Sequence, residues 1–94
     1  MTNKTHYTNG QIVRTLEGDQ LTYFYKSGKI KAQGRFVNDK MQGEWRFYAE
    51  DGRLMQIGHL KDDIKEGAWT RFNEQGEVEY DELFANGKIQ KKKP

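Results

Sequence analysis

The chain has 94 residues, enough for one small domain, with 34% hydrophobic and 32% charged residues and a net charge of +2. That balance does not point to a nucleic-acid partner, and the absence of cysteine removes disulfides, thiolate nucleophiles and cysteine-based zinc sites. No apolar run approaches the ~18 residues that cross a bilayer, and Met1 to Gly10 has no apolar secretory core, so a cytoplasmic protein with no membrane partner is expected.

Residues 1–9 are polar and read as a flexible N-terminal segment. Residues 10–90 carry an internal repeat. Gly28, Gly52 and Gly76 are 24 apart, as are Gly34 and Gly58, and Gly43 and Gly67. Gly10 and Ile12 stand 24 before Gly34 and Phe36 and read as the tail of a degenerate preceding unit. In the first full unit Leu21 and Phe24 precede a turn at Ser27-Gly28. Ile30, Ala32, Gly34 and Phe36 then alternate as a strand, and a looser turn follows at Asn38-Asp39-Lys40. The second unit repeats this with Trp45, Phe47 and Tyr48, the turn Asp51-Gly52, the strand Leu54 to Leu60 and the turn at Asp62-Asp63. The third carries Trp69, Phe72, the turn Gln75-Gly76, Val78 and Phe84, and the turn Asn86-Gly87. Lys91 to Pro94 form a short basic tail.

Period-two alternation and aromatic enrichment specify strands, and a glycine every few residues would weaken any helix by about 1 kcal/mol each. The expected fold is all-β: a single-layer twisted antiparallel meander of repeated hairpins with about six to eight strands. Gly28, Gly52 and Gly76 are its turn glycines, and Asp51-Gly52 is expected as a tight turn with both residues at positive φ. Gly34 and Gly58 sit inside strands, where glycine marks a bulge or a side chain lying across the backbone. Trp45 and Trp69 are the candidates to cover them, giving a core of Trp45, Trp69, Leu54, Phe36 and Leu60. Ile30, Leu54 and Val78 are expected on this core face. The second face holds Phe24, Tyr48, Phe72, Val37, Met55, Ile57 and Leu83, and of these Phe24, Tyr48, Phe72, Met55 and Ile57 are the candidate partner-binding residues.

Gly43-Glu44-Trp45, followed by Tyr48, Gly52 and Leu54, and its echo from Gly67-Ala68-Trp69 to Gly76, resemble the MORN-repeat family in its 24-residue bacterial variant. The resemblance covers residues 10–90. The first unit departs with Leu21 in place of Trp, and the last with Glu82 in place of the mid-strand glycine. It implies an extended β-ribbon, protein–protein contacts with phospholipid contacts in some members, and, for the bacterial variant, the antitoxin of a toxin–antitoxin pair. It brings no shared catalytic residue.

The residues themselves assemble no catalytic constellation, so a non-enzymatic interaction module without cofactor is expected. His6 and His59 are the two histidines, and neither has ligands around it at metal-site spacing. The carboxylates fall in turns or opposite cations, as on a solvated strand face. A protein partner, including a second copy of the chain, is therefore expected. The alternative is phospholipid-surface or nucleic-acid binding through Lys88 and Lys91 to Lys93.

Overall fold

Apolar–polar alternation between turn residues builds nine antiparallel strands, and all nine join one open sheet without a helix in the computed structural model, which describes residues 5–90. The strands are β1 (Arg14–Glu17), β2 (Gln20–Phe24), β3 (Ile30–Val37), β4 (Lys40–Tyr48), β5 (Leu54–Lys61), β6 (Ile64–Lys65), β7 (Gly67–Phe72), β8 (Val78–Ala85) and β9 (Lys88–Gln90). They follow one another across the sheet in chain order, with β6 and β7 both pairing β5 as the two parts of one interrupted strand. The meander expected from the repeat is the observed fold.

The two kinds of turn exchange the roles expected of them. Asn38 and Asp39 have φ of 53° and 62°, Asp62 and Asp63 of 51° and 70°, and Asn86 and Gly87 of 51° and 80°. Two successive positive-φ residues make the tight two-residue turn whose twist matches that of the strands. The Asp51-Gly52 turn is the longer one. There Gly52 donates its amide to Ala49, Ala49 donates to Arg53, and Gly52 alone takes a positive φ, of 93°. A three-residue loop ending in a left-handed glycine needs only that one residue at positive φ. Residues 25–29 and 73–77 close the same way.

The same closure occurs at residues 7–11, with Gly10 at a φ of 89°. Gly10 therefore corresponds to Gly28, not to Gly34. The first unit is short: 18 residues separate Gly10 from Gly28, because the β1–β2 hairpin turns at once through Gly18. Ordered structure also begins inside the segment expected to be flexible, since His6 bridges Ile12 and Tyr7 donates its hydroxyl to Phe24.

The core is a one-sided aromatic ladder. Trp45 is fully buried and Trp69 nearly so, joined by Leu21, Ala32 and Leu60. Tyr23, Trp45, Phe47, Trp69 and Phe84 follow one another with centroid separations of 6.4, 6.3, 5.8 and 6.3 Å. Those spacings lie within the favourable range for aromatic pairs. The mid-strand glycines make it possible. A Cβ on Gly34 would lie 2.3 Å from the Trp45 ring, and one on Gly58 the same distance from the Trp69 ring. Each indole lies flat on bare backbone and donates its Nε1–H to a carbonyl, Trp45 to Arg35 and Trp69 to His59.

Candidate functional site

The second face of the sheet is where strand register brings separated residues together. Bulges between Tyr23 and Phe24, Phe47 and Tyr48, and Arg71 and Phe72 insert one extra residue into the facing strand. The shift pairs Phe24 with Ile30, Tyr48 with Leu54 and Phe72 with Val78. Without the bulge each aliphatic residue would fall on the core face, because one residue of slip reverses a strand's facing. Ile30, Leu54 and Val78 thus move to the second face. Leu54 is half-buried there and lies outside the core cluster, in which Trp45, Trp69 and Leu60 are buried and Phe36 packs at the margin.

The result is a row of aromatic–aliphatic pairs on one side of the sheet, beside the three-residue turns. His6 with Ile12 extends it by one position. Strands lie about 4.8 Å apart, so successive pairs are spaced by about 10 Å. Phe24, Tyr48 and Phe72 are half-buried, while Ile30 and Val78 are exposed at 36% and 55%. Ile57 lies on the same face opposite Arg46, one row inward. Met55 is the extra residue of the middle bulge and has no cross-strand partner in the register. Of the five candidate residues, four share the face and Met55 stands apart.

Inward of this row the second face turns polar on either side of Ile57. Thr22, Gln33, Arg46, Ile57, Thr70 and Asp81 run across it, with Gln33 donating to the Thr22 hydroxyl and Thr70 donating to Asp81. An apolar strip with a hydrogen-bonding margin is the chemistry of a protein contact: desolvation along the strip and orientation from the rim.

Residues that pattern-reading passed over hold the strip in place. Tyr25 donates its hydroxyl to the Tyr48 carbonyl at 2.6 Å, as Tyr7 does to Phe24 at 2.8 Å. The third link changes partner: Ala49 stands where Tyr25 would, and Arg53 reaches the Asn73 carbonyl instead. The shorter spacing of Tyr7 and Tyr25, 18 residues, is the signal that could have found this pair. Burial pushes the Tyr25 phenol above its ordinary pKa, with the Glu50 carboxylate and Tyr7 adding to the effect. The hydroxyl therefore stays protonated, and a donor to Tyr48, to higher pH than a free phenol would.

The first face offers a shallow groove of about 340 Å³ lined by Tyr23, Lys31, Ala32, Met41, Trp45 and Phe47. Lys65 covers the other end of the ladder, its Nζ 4.6 Å from the Trp69 ring centroid and 4.8 Å from that of Phe84. His59 uses its Nδ1 on the Ala68 carbonyl at 3.0 Å. Among the described residues no three His, Asp or Glu side chains gather as metal ligands would, and no helix is long and apolar enough to cross a membrane. The tail at Lys91 to Lys93, on which the phospholipid or nucleic-acid alternative depends, lies outside the described residues.

The family model for the MORN repeat variant matches residues 16–38 and again 41–62. Those two stretches take in Gly28 and Gly52, which set turns, and Gly34 and Gly58, which seat the indoles of Trp45 and Trp69. No curated protein and no solved structure matches the chain.

Proposed function

Because the chain belongs to the MORN-repeat variant family, whose repeats are generally non-enzymatic and serve as interaction or membrane-binding modules, we propose that it is a non-catalytic protein-interaction module acting as the antitoxin of a toxin–antitoxin pair. The observation that carries the interaction reading is the row Phe24–Ile30, Tyr48–Leu54 and Phe72–Val78. It is apolar, partly exposed and regularly spaced, on a sheet with no second layer over it among the described residues. Patches of this kind mark contact surfaces. Ile57 adds area to the strip. The antitoxin role rests on the family resemblance of the repeat.

Affinity capture with the wild-type chain and with a Tyr48→Ser, Phe72→Ser variant tests the reading. A partner held by the first and lost by the second is expected, with the circular dichroism of the two chains alike. The same proteins on both would refute it. Expression of the captured partner alone should arrest growth, and co-expression of this chain should relieve the arrest. Self-association through the same row is the second form of the reading, favoured by its repetitive spacing. Light scattering that shows a strict monomer at every concentration refutes that form.

A further inference from the structure

We propose that the outer edge of β8, from Val78 to Glu82, is a strand-addition site for an extended cationic segment of a partner protein. The segment places a lysine or arginine opposite Glu82. β8 has eight residues, but β9 pairs only with Leu83 to Ala85. Among the described residues Val78 to Glu82 has β7 on one side and no strand on the other. A strand edge left open presents backbone donors and acceptors in the spacing that another strand requires.

The repeat defines which strand fits. In β3 and β5 the corresponding positions are Gly34 and Gly58, and the following strand lays a tryptophan on each. In β8 the position is Glu82. A Cβ there would meet an incoming indole at about the 2.3 Å separation found for Gly34 and Gly58. The tryptophan-bearing strand of a second copy is therefore excluded, and the array cannot continue head to tail by its own rule. Charge selects the alternative. Glu77, Glu79, Asp81 and Glu82 crowd six residues. Arg71 reaches only Glu79, at 3.7 Å. By the same register the residue opposite Tyr80 falls in the slot that Phe47 and Arg71 occupy elsewhere, so an aromatic or a second cation suits it.

This edge shares only Val78 with the apolar row, and none of the variants below touches Tyr48, Phe72 or Val78. The probes are two synthetic strand peptides of about eight alternating threonine and valine residues, one with a central lysine and one with a central tryptophan. Binding is read by chemical shifts and amide exchange in the labelled full chain. The wild type should prefer the lysine peptide by about tenfold, as expected for one facing charge pair, with the changes centred on residues 78–82. Glu82→Gly should reverse the preference, and Glu82→Lys should abolish binding of the lysine peptide. An unchanged preference in Glu82→Gly, or shifts located elsewhere, overturns the proposal. The chain's own Lys91 to Lys93 have matching chemistry and are tested by replacing all three with serine in the full chain. Equal binding by wild type and that variant supports a partner site. Binding by the variant alone assigns the edge to the tail and overturns the proposal.

Discussion

Replacing Gly58 by alanine should destabilise the fold by about 3 kcal/mol, more than its single added methyl would suggest. The new Cβ would stand 2.3 Å from Cδ2 of Trp69 and 2.4 Å from Cε2 and Cε3. Carbon atoms rest at about 3.5–4.0 Å, so the ring must rise by more than about 1 Å. It has little freedom to do so. Its Nε1 is held by the His59 carbonyl at 2.8 Å, and the rings of Phe47 and Phe84 flank it at 5.8 and 6.3 Å. Overpacking costs about 1–3 kcal/mol, and loss of the indole hydrogen bond adds about 1 kcal/mol. A domain of this length holds about 5–14 kcal/mol in all, at roughly 0.05–0.15 kcal/mol per residue. The melting temperature should fall by about 12–24 °C, at roughly 4–8 °C for each kcal/mol.

The assay is a double-mutant cycle by urea denaturation, read by circular dichroism. Trp69→Ala alone should cost about 3–5 kcal/mol. In that background Gly58→Ala should cost less than about 0.5 kcal/mol, because the methyl then has room, which leaves a coupling of about 2.5 kcal/mol. Gly52→Ala is the control. No atom lies within 4 Å of its Cβ position, and its φ is 93°. Its cost is left-handed backbone alone, about 1–2 kcal/mol, the same with or without Trp69. Additive costs for Gly58 and Trp69 would refute the idea that glycine and indole act as one unit.

Asp39→Gly should raise stability by about 0.5–1 kcal/mol in a thermal melt, because it turns Asn38-Asp39 into the preferred Asn-Gly pair at a φ of 62°. Gly87→Ala should lower it by about 1–2 kcal/mol, from the φ of 80° and the Ile64 methyl 3.2 Å from the new Cβ. Tyr25 has its phenol pKa raised in the fold, so the unfolded chain loses this proton first as pH climbs. Its contribution is complete below the ordinary phenol range, near 10, and is lost above it. Denaturation midpoints measured on either side of that range should therefore fall at high pH in the wild type and fall less in Tyr25→Phe. Lys65→Met keeps the aliphatic stem over Trp69 and Phe84 and removes the charge, for a loss of about 0.5–1 kcal/mol in the same melt.

Much of this fold is legible in the residues because its determinants are periodic. The 24-residue spacing of Gly28, Gly52 and Gly76 marks turns, and Trp45 and Trp69 stand where the mid-strand glycines need cover. The second face was harder to read. Strict alternation back from Leu60 and Gly58 places Leu54 with the core, and one bulge residue, Met55, undoes that placement. A bulge is a matter of backbone geometry and leaves no apolar signature. The tight turns were obscured for a related reason: aspartate and asparagine tolerate left-handed conformations, so Asp62-Asp63 does the work usually signalled by glycine. The N-terminal unit hid because it is six residues shorter, 18 against 24, and a search at fixed period aligns Gly10 with the wrong glycine.

The pairing of glycine with indole also explains how a chain with so few aliphatic residues folds as one layer. A tryptophan lying flat on backbone is shielded from below by the strand and from the sides by the next aromatic, so Trp45 is completely buried without a second sheet. Each unit supplies the ring that covers its predecessor's glycine, and burial therefore accumulates along the array from nearest-neighbour contacts. The outermost described hairpins depart from that rule. At the first hairpin Leu16 faces Leu21, both members of the pair having changed together, and a leucine seals what an indole seals elsewhere. At the last hairpin only one member is in view: Glu82 has replaced the glycine. A carboxylate in that slot repels the continuation that an open glycine would invite. On the proposal above, growth by a further tryptophan strand is disfavoured there, while the backbone edge beside it, open among the described residues, suits a strand of opposite charge.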